Sequence, residues 1–111
     1  MSLLRHHKFS CRGPEAVLAG LRAVETICRK RGLQFTENRW QVLESLLQAE
    51  QPMTAYDLLR ALENKLGRPI SPPTVYRALE FLSEHGFVSR IETTNAYVPT
   101  AHPDHTQPYV F

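Results

Sequence analysis

From Pro14 onward the hydrophobic positions fall three or four residues apart. The first set, Val17, Leu21, Val24 and Cys28, marks one face of a helix from Pro14 to Arg31. Pro14 suits the first helical position, where its missing N–H is not needed. Arg29, Lys30 and Arg31 complement the dipole in the last turn, and Gly32 stops the helix. Thr36 is a good N-cap for a second helix with the stripe Val42, Leu43, Leu46 and Leu47, ending near Gln48 before Pro52. Thr54 caps a third, with Asp57 in its first turn, Leu58, Leu59, Leu62 and Leu66 on its apolar face and Gly67 at its end. Ser71-Pro72 opens a fourth, which runs to about His85, stops at Gly86 and buries Val75, Ala78, Leu79 and Leu82. Beyond Gly86 the pattern changes. Phe87–Ile91 reads as a strand, Thr93-Thr94-Asn95 as a turn, and Ala96-Tyr97-Val98 as a returning strand closed by Pro99.

This order predicts a mainly α fold with a small β-hairpin, a winged helix-turn-helix, over residues 14–99. Residues 1–13 read as a flexible arm. Residues 100–111 read as a hinge leading into the start of a further domain, because Pro108-Tyr109-Val110-Phe111 opens an apolar stretch that has no closing signal. A length of 111 residues suits one compact domain, or one domain plus a tail, and 42% hydrophobic with 22% charged residues is close to the average for a soluble globular protein. No apolar run approaches the ~20 residues that span a bilayer, and residues 1–10 lack a signal-peptide core, so the expected location is the cytoplasm, away from membranes. Two cysteines, Cys11 and Cys28, make no disulfide framework. Cys28 sits on the apolar stripe of the first helix and reads as a small core residue.

The net charge is only +2, but it is unevenly spread. Residues 1–40 carry eight Lys or Arg against three acids, whereas residues 41–111 carry five against eight. A basic end is compatible with docking on phosphates. It is equally what solvated helix faces and a basic arm look like, and charge by itself favours that plainer reading.

The fourth helix is more informative. With Val75 at zero, Tyr76 lies about 100° round the helix, Glu80 about 140° and Arg77 about 200°, so all three point away from the core stripe. In a winged helix-turn-helix the N-terminal residues of the last helix read the DNA major groove. Arg77 could fork onto a phosphate or a guanine edge, and Tyr76 could meet a thymine methyl group or a phosphate. Thr74 and the helix N-terminal amides are further phosphate contacts. The alternative is that Tyr76 covers a neighbouring apolar edge and Arg77 pairs with Glu80 or Glu84. Those two acids argue against tight, indiscriminate phosphate binding, so one copy should bind DNA weakly and two copies on a two-fold-related site would be needed.

Four segments resemble the ferric uptake regulator family: Pro73–Leu82 (PTVYRALEFL), Gln34–Arg39 (QFTENR), Thr54–Leu59 (TAYDLL) and Glu84–Val88 (EHGFV). The resemblance covers about residues 15–111. Within the family the chain looks most like the zinc uptake regulator branch, on Ala55–Leu59, Pro72–Leu82 and Thr94–Val98. The resemblance implies an N-terminal winged-helix domain, a hinge and a C-terminal dimerisation domain beyond this sequence. It also implies a homodimer that binds zinc, grips an AT-rich inverted repeat of double-stranded DNA and represses zinc-import genes. By position, Tyr56, Tyr76 and Arg77 would read bases and backbone, and Arg39 would either help near the phosphates or pack the second helix.

His102 and His105 fall where the family places part of its regulatory metal site, and imidazole suits zinc. Glu92 is a nearby oxygen ligand. Two histidines do not complete a four-coordinate site, and the plainer reading is a solvated linker with incidental histidines. The sequence also departs from the pattern. The enterobacterial zinc regulators carry a cysteine just after the Tyr-Val strand and a histidine in the first wing strand, where this chain has Pro99-Thr100-Ala101 and Ser89. The family's structural zinc site uses CxxC pairs, which would lie beyond Phe111. His6, His7 and His85 read as surface residues.

An enzyme is disfavoured because the sequence has no glycine-rich phosphate loop, HExxH, GxSxG or catalytic-cysteine setting. The remaining alternatives are an iron- or peroxide-responsive regulator of the same family, and a winged-helix protein-interaction module that uses Tyr76 and Arg77 as a hot spot.

Overall fold

The computed structural model of the chain describes residues 13–49 and 51–100. Of the expected arm at 1–13, residues 1–12, with His6, His7 and Cys11, lie outside the described residues, as does the segment 101–111 with His102 and His105. The element order is α1 (Pro14–Arg31), α2 (Glu37–Gln48), β1 (Met53–Thr54), α3 (Ala55–Leu66), α4 (Pro72–Glu84), β2 (Val88–Ile91) and β3 (Ala96–Pro99). This is a mainly helical winged helix with a small antiparallel sheet.

The helix boundaries follow the capping signals. Thr36 accepts the backbone N–H of Arg39 at the start of α2. Thr54 and Asp57 form a reciprocal capping box at α3: the Asp57 N–H donates to Thr54 Oγ1 at 3.1 Å, and the Thr54 N–H donates to Asp57 Oδ2 at 3.1 Å. Thr54→Ala removes one half of that box and is expected to cost about 1 kcal/mol, read as a lower urea midpoint at an unchanged m-value. A midpoint equal to wild type would show that water replaces the cap at no cost. Ser71 behaves otherwise. It precedes Pro72 and Pro73 but makes no side-chain cap; its Oγ pairs with Thr74 Oγ1 at 2.8 Å instead.

α2 lies at the centre and packs against α1, α3 and α4. The core draws Val17, Leu21, Val24 and Cys28 from α1, Val42, Leu43 and Leu46 from α2, Leu58 and Leu62 from α3, and Val75, Ala78, Leu79 and Leu82 from α4. Leu47 and Leu59, expected on the buried stripes, are only partly buried at the margin of this cluster. Leu47 instead fills the space beside Gly20, where an added Cβ would come within 3.1 Å of Leu47 Cδ1. Burial pushes the Cys28 thiol up against the opposing pull of Arg31 and Arg39, which keeps it a protonated core group.

Two features differ from the expectation. The hairpin is joined by a third strand, giving the order β1-β3-β2, with Met53 opposite Tyr97 and Thr54 opposite Ala96. Pro99 does not lie outside β3 but pairs in register with Val88. The second difference concerns Phe87. It was expected in the strand, yet it belongs to the end of α4. Gly86 adopts φ 80°, and the Phe87 N–H donates to Leu82 O at 2.8 Å, the helix-ending pattern that needs a left-handed residue. That turn drives the Phe87 ring into the core, and β2 starts one residue later, at Val88. The Phe87 carbonyl then accepts the Thr100 N–H at 2.9 Å, which ties the base of the wing to the helices.

Candidate nucleic-acid interface

α4 buries Val75, Ala78, Leu79 and Leu82, so its remaining faces are open. Tyr76 is 56% exposed although it is a large aromatic residue, and Arg77 is exposed beside it. Among the described residues Arg77 makes no hydrogen bond or ion pair, to Glu80, Glu84 or any other group. Its guanidinium is therefore neither neutralised nor committed. Arg77 lies between two depressions. One runs between α4 and the wing, where Tyr76, Glu80, Glu84, Arg90 and Tyr97 also face. The other lies between α4 and the start of α2, with Thr36, Asn38, Arg39 and Thr74.

The other expected site residues fall around this ridge. Thr74 is half-buried in the first turn of α4, and its hydroxyl is shared with Ser71. Tyr56, at the start of α3, is 62% exposed, and its phenol oxygen accepts from Arg60 Nη1 at 2.8 Å. Tyr56 and Tyr76 line one hollow, so residues 20 positions apart in the chain share a surface. Arg39 is half-buried. Its guanidinium stacks on the Phe81 ring, 3.7 Å from the centroid, and donates to the Gln34 carbonyl. Arg39 thus brackets α4 from the α2 side while bordering the depression that holds Thr74 and Arg77.

Arg90 was not singled out from the sequence. It lies on β2 opposite Tyr97 and donates from Nη1 to Asn95 Oδ1 at 3.3 Å. Register carries the signal that could have found it. A hairpin turning through Thr93-Thr94-Asn95 with Ile91 opposite Ala96 places Arg90 beside Tyr97, but only the packed fold sets that pair against α4.

Glu92 is exposed in the turn between β2 and β3. Among the described residues no group of three or more His, Cys, Asp or Glu side chains is placed to hold a metal ion. The described residues therefore do not by themselves provide a zinc site. Among them, no helix is long and apolar enough to cross a membrane.

The sequence model described as the ferric uptake regulator family matches residues 30–106. The zinc uptake regulation protein of Escherichia coli (strain K12) is 44% identical over 78 residues, which is 70% of this chain and 45% of that protein. Thus the chain spans about half the length of the curated relatives it matches. A solved zinc uptake regulator complexed with zinc and DNA superposes with a TM-score of 0.75 at 39% identity, over 80% of this chain and 59% of the other. The holo form of XcZur superposes with a TM-score of 0.69 at 44% identity, over 76% and 57% of the two chains. With the family's sequence model covering more than half of its length, and its winged helix matched in these structures, the chain belongs to the ferric uptake regulator family.

Proposed function

We propose that this chain is the DNA-binding part of a zinc-responsive transcription repressor of metal-uptake genes. It acts in the cytoplasm as a regulator, not as an enzyme. The observation that carries this reading is Arg77, an exposed guanidinium with no partner among the described residues, beside exposed Tyr76 on the open face of the last helix of a winged helix. An uncompensated arginine there is available for bidentate contact with a guanine edge or a phosphate. Thr74 and Tyr76 adjoin it and Tyr56 faces Tyr76 in the neighbouring hollow, as further backbone and base contacts, and Arg39 supports α4 through Phe81. The relatives support the signal: one is named for zinc uptake regulation, and another was solved with zinc and DNA. His102 and His105 are the proposed hinge ligands, with Glu92 of the wing turn as a further oxygen ligand. Glu80 and Glu84 beside the reading face keep a single copy weak, so a homodimer on an AT-rich inverted repeat supplies the affinity.

The test is fluorescence anisotropy of the chain on an AT-rich inverted-repeat duplex and on a scrambled duplex of equal length, over a salt series. The expected result is preference for the repeat and a linear fall of log K with log salt. Equal binding to both duplexes with no salt dependence would overturn the reading in favour of a protein-docking winged helix.

A further inference from the structure

We propose that the hollow between the start of α3, the face of α4 and the wing seats one phosphate of the DNA backbone, with Arg90 as its cationic contact and Asn95 as the positioning residue. This rests on the DNA-binding reading above and adds the wing to it. Two neighbouring surfaces could receive an anion, and their chemistry differs. The groove deeper along α4 places Glu80 and Glu84 across from Arg77 and Arg90. Among the described residues, the hollow shared by Tyr56, Tyr76, Arg90, Asn95 and Tyr97 is lined by a cation, three phenols and no carboxylate. In the first the two cations face two carboxylates, whereas the second offers a phosphate a cation and phenol donors without a competing carboxylate among the described residues.

The donors in the hollow are also prepared. Arg90 is held at one nitrogen by a neutral partner, Asn95 Oδ1, so its orientation is restrained while its charge stays uncompensated. Among the described residues it forms no ion pair, which leaves its other N–H groups free for phosphate oxygens. Tyr56 Oη already accepts from Arg60, so the hydroxyl hydrogen is free to donate outward, and the adjoining cation makes it a better donor. With α4 in the major groove, a phosphate of the flanking backbone held in this hollow would fix register without reading sequence.

Asn95 also allows a clean variant. Its backbone sits at φ 54°, a conformation glycine adopts without strain, so Asn95→Gly removes the acceptor and keeps the turn. The experiment measures binding of the chain to the inverted-repeat and scrambled duplexes across the salt series for wild type, Arg90→Ala, Arg90→Gln, Arg90→Lys and Asn95→Gly, with a thermal melt of each. Arg90→Ala and Arg90→Gln are expected to weaken both duplexes to a similar degree and to reduce the salt slope by about 1 per bound copy, while Arg90→Lys keeps the slope. Asn95→Gly should weaken both duplexes with the slope and the melt preserved. An unchanged slope in Arg90→Ala and Arg90→Gln, on a wild type that binds DNA, overturns the phosphate seat alone. Loss confined to the inverted repeat also overturns it, by making Arg90 a base reader. A wild type with no salt-dependent binding overturns the DNA-binding reading, and this inference with it.

Discussion

Leu79→Ala is expected to lower the stability of the fold by about 2–5 kcal/mol, the range for a leucine truncated in a packed core. Leu79 is 1% exposed, on the face of α4 that packs against α2 and α3. Removing its branched end takes apolar atoms out of the core and leaves a void, because Val75, Ala78 and Leu82 are held on the same rigid helix and cannot close around it. For a domain of this size each kcal/mol moves the melting temperature by roughly 4–8 °C, so the loss is large against a total stability of about 5–15 kcal/mol. Urea denaturation followed by circular dichroism would show a lower midpoint with an unchanged m-value. Leu79→Met, which conserves volume, should cost less than about 1.5 kcal/mol. A wild-type midpoint in Leu79→Ala would mean that α4 turns another face to the core. The outward assignment of Tyr76 and Arg77 would then fail as well, since it is fixed by their angles from this stripe.

The four helices are legible in the sequence because each carries its own punctuation: Pro14 and Gly32 around α1, Thr36 before α2, the Thr54–Asp57 box and Gly67 around α3, and Pro72 and Gly86 around α4. These signals act within a few residues, which is the range that a sequence pattern reports. β1 has no such signal. Two residues show no periodicity, one of them is also the cap of α3, and the strand exists only because β3 lies beside it. Phe87 shows how one chemical pattern serves two structures. A hydrophobic residue after a glycine can start a strand or close a helix, and the bond to Leu82 O selects the second. The site divides in the same way. Tyr76 and Arg77 follow from helical geometry applied to a core stripe. Arg90 needs the hairpin register and the docking of the wing against α4, and the stacking of Arg39 on Phe81 joins residues 42 apart in the chain.

Arg77→Ala tests the proposed reading face directly and is expected to cost about 1–3 kcal/mol of specific DNA binding while leaving the fold intact. Stability should hold within about 0.5 kcal/mol, because the side chain is exposed and gives up no hydrogen bond or ion pair among the described residues. The loss in binding follows from the same fact. A guanidinium with no internal partner among the described residues has no protein contact to break before it meets DNA, so only its hydration and rotamer freedom offset the contacts it makes there. The kind of contact sets the outcome of two further measurements. If Arg77 forks onto a base edge, Arg77→Lys should not restore specificity, since a single ammonium lacks the planar pair of donors, and the preference for the inverted repeat over a scrambled duplex should fall. That distinguishes Arg77 from Arg90, whose loss is expected to weaken both duplexes alike. Unchanged affinity of Arg77→Ala for the inverted repeat would remove Arg77 from the reading face. Thr74 and Tyr76 on α4, the wing and the start of α3 would then be the remaining candidates for the surface that meets DNA.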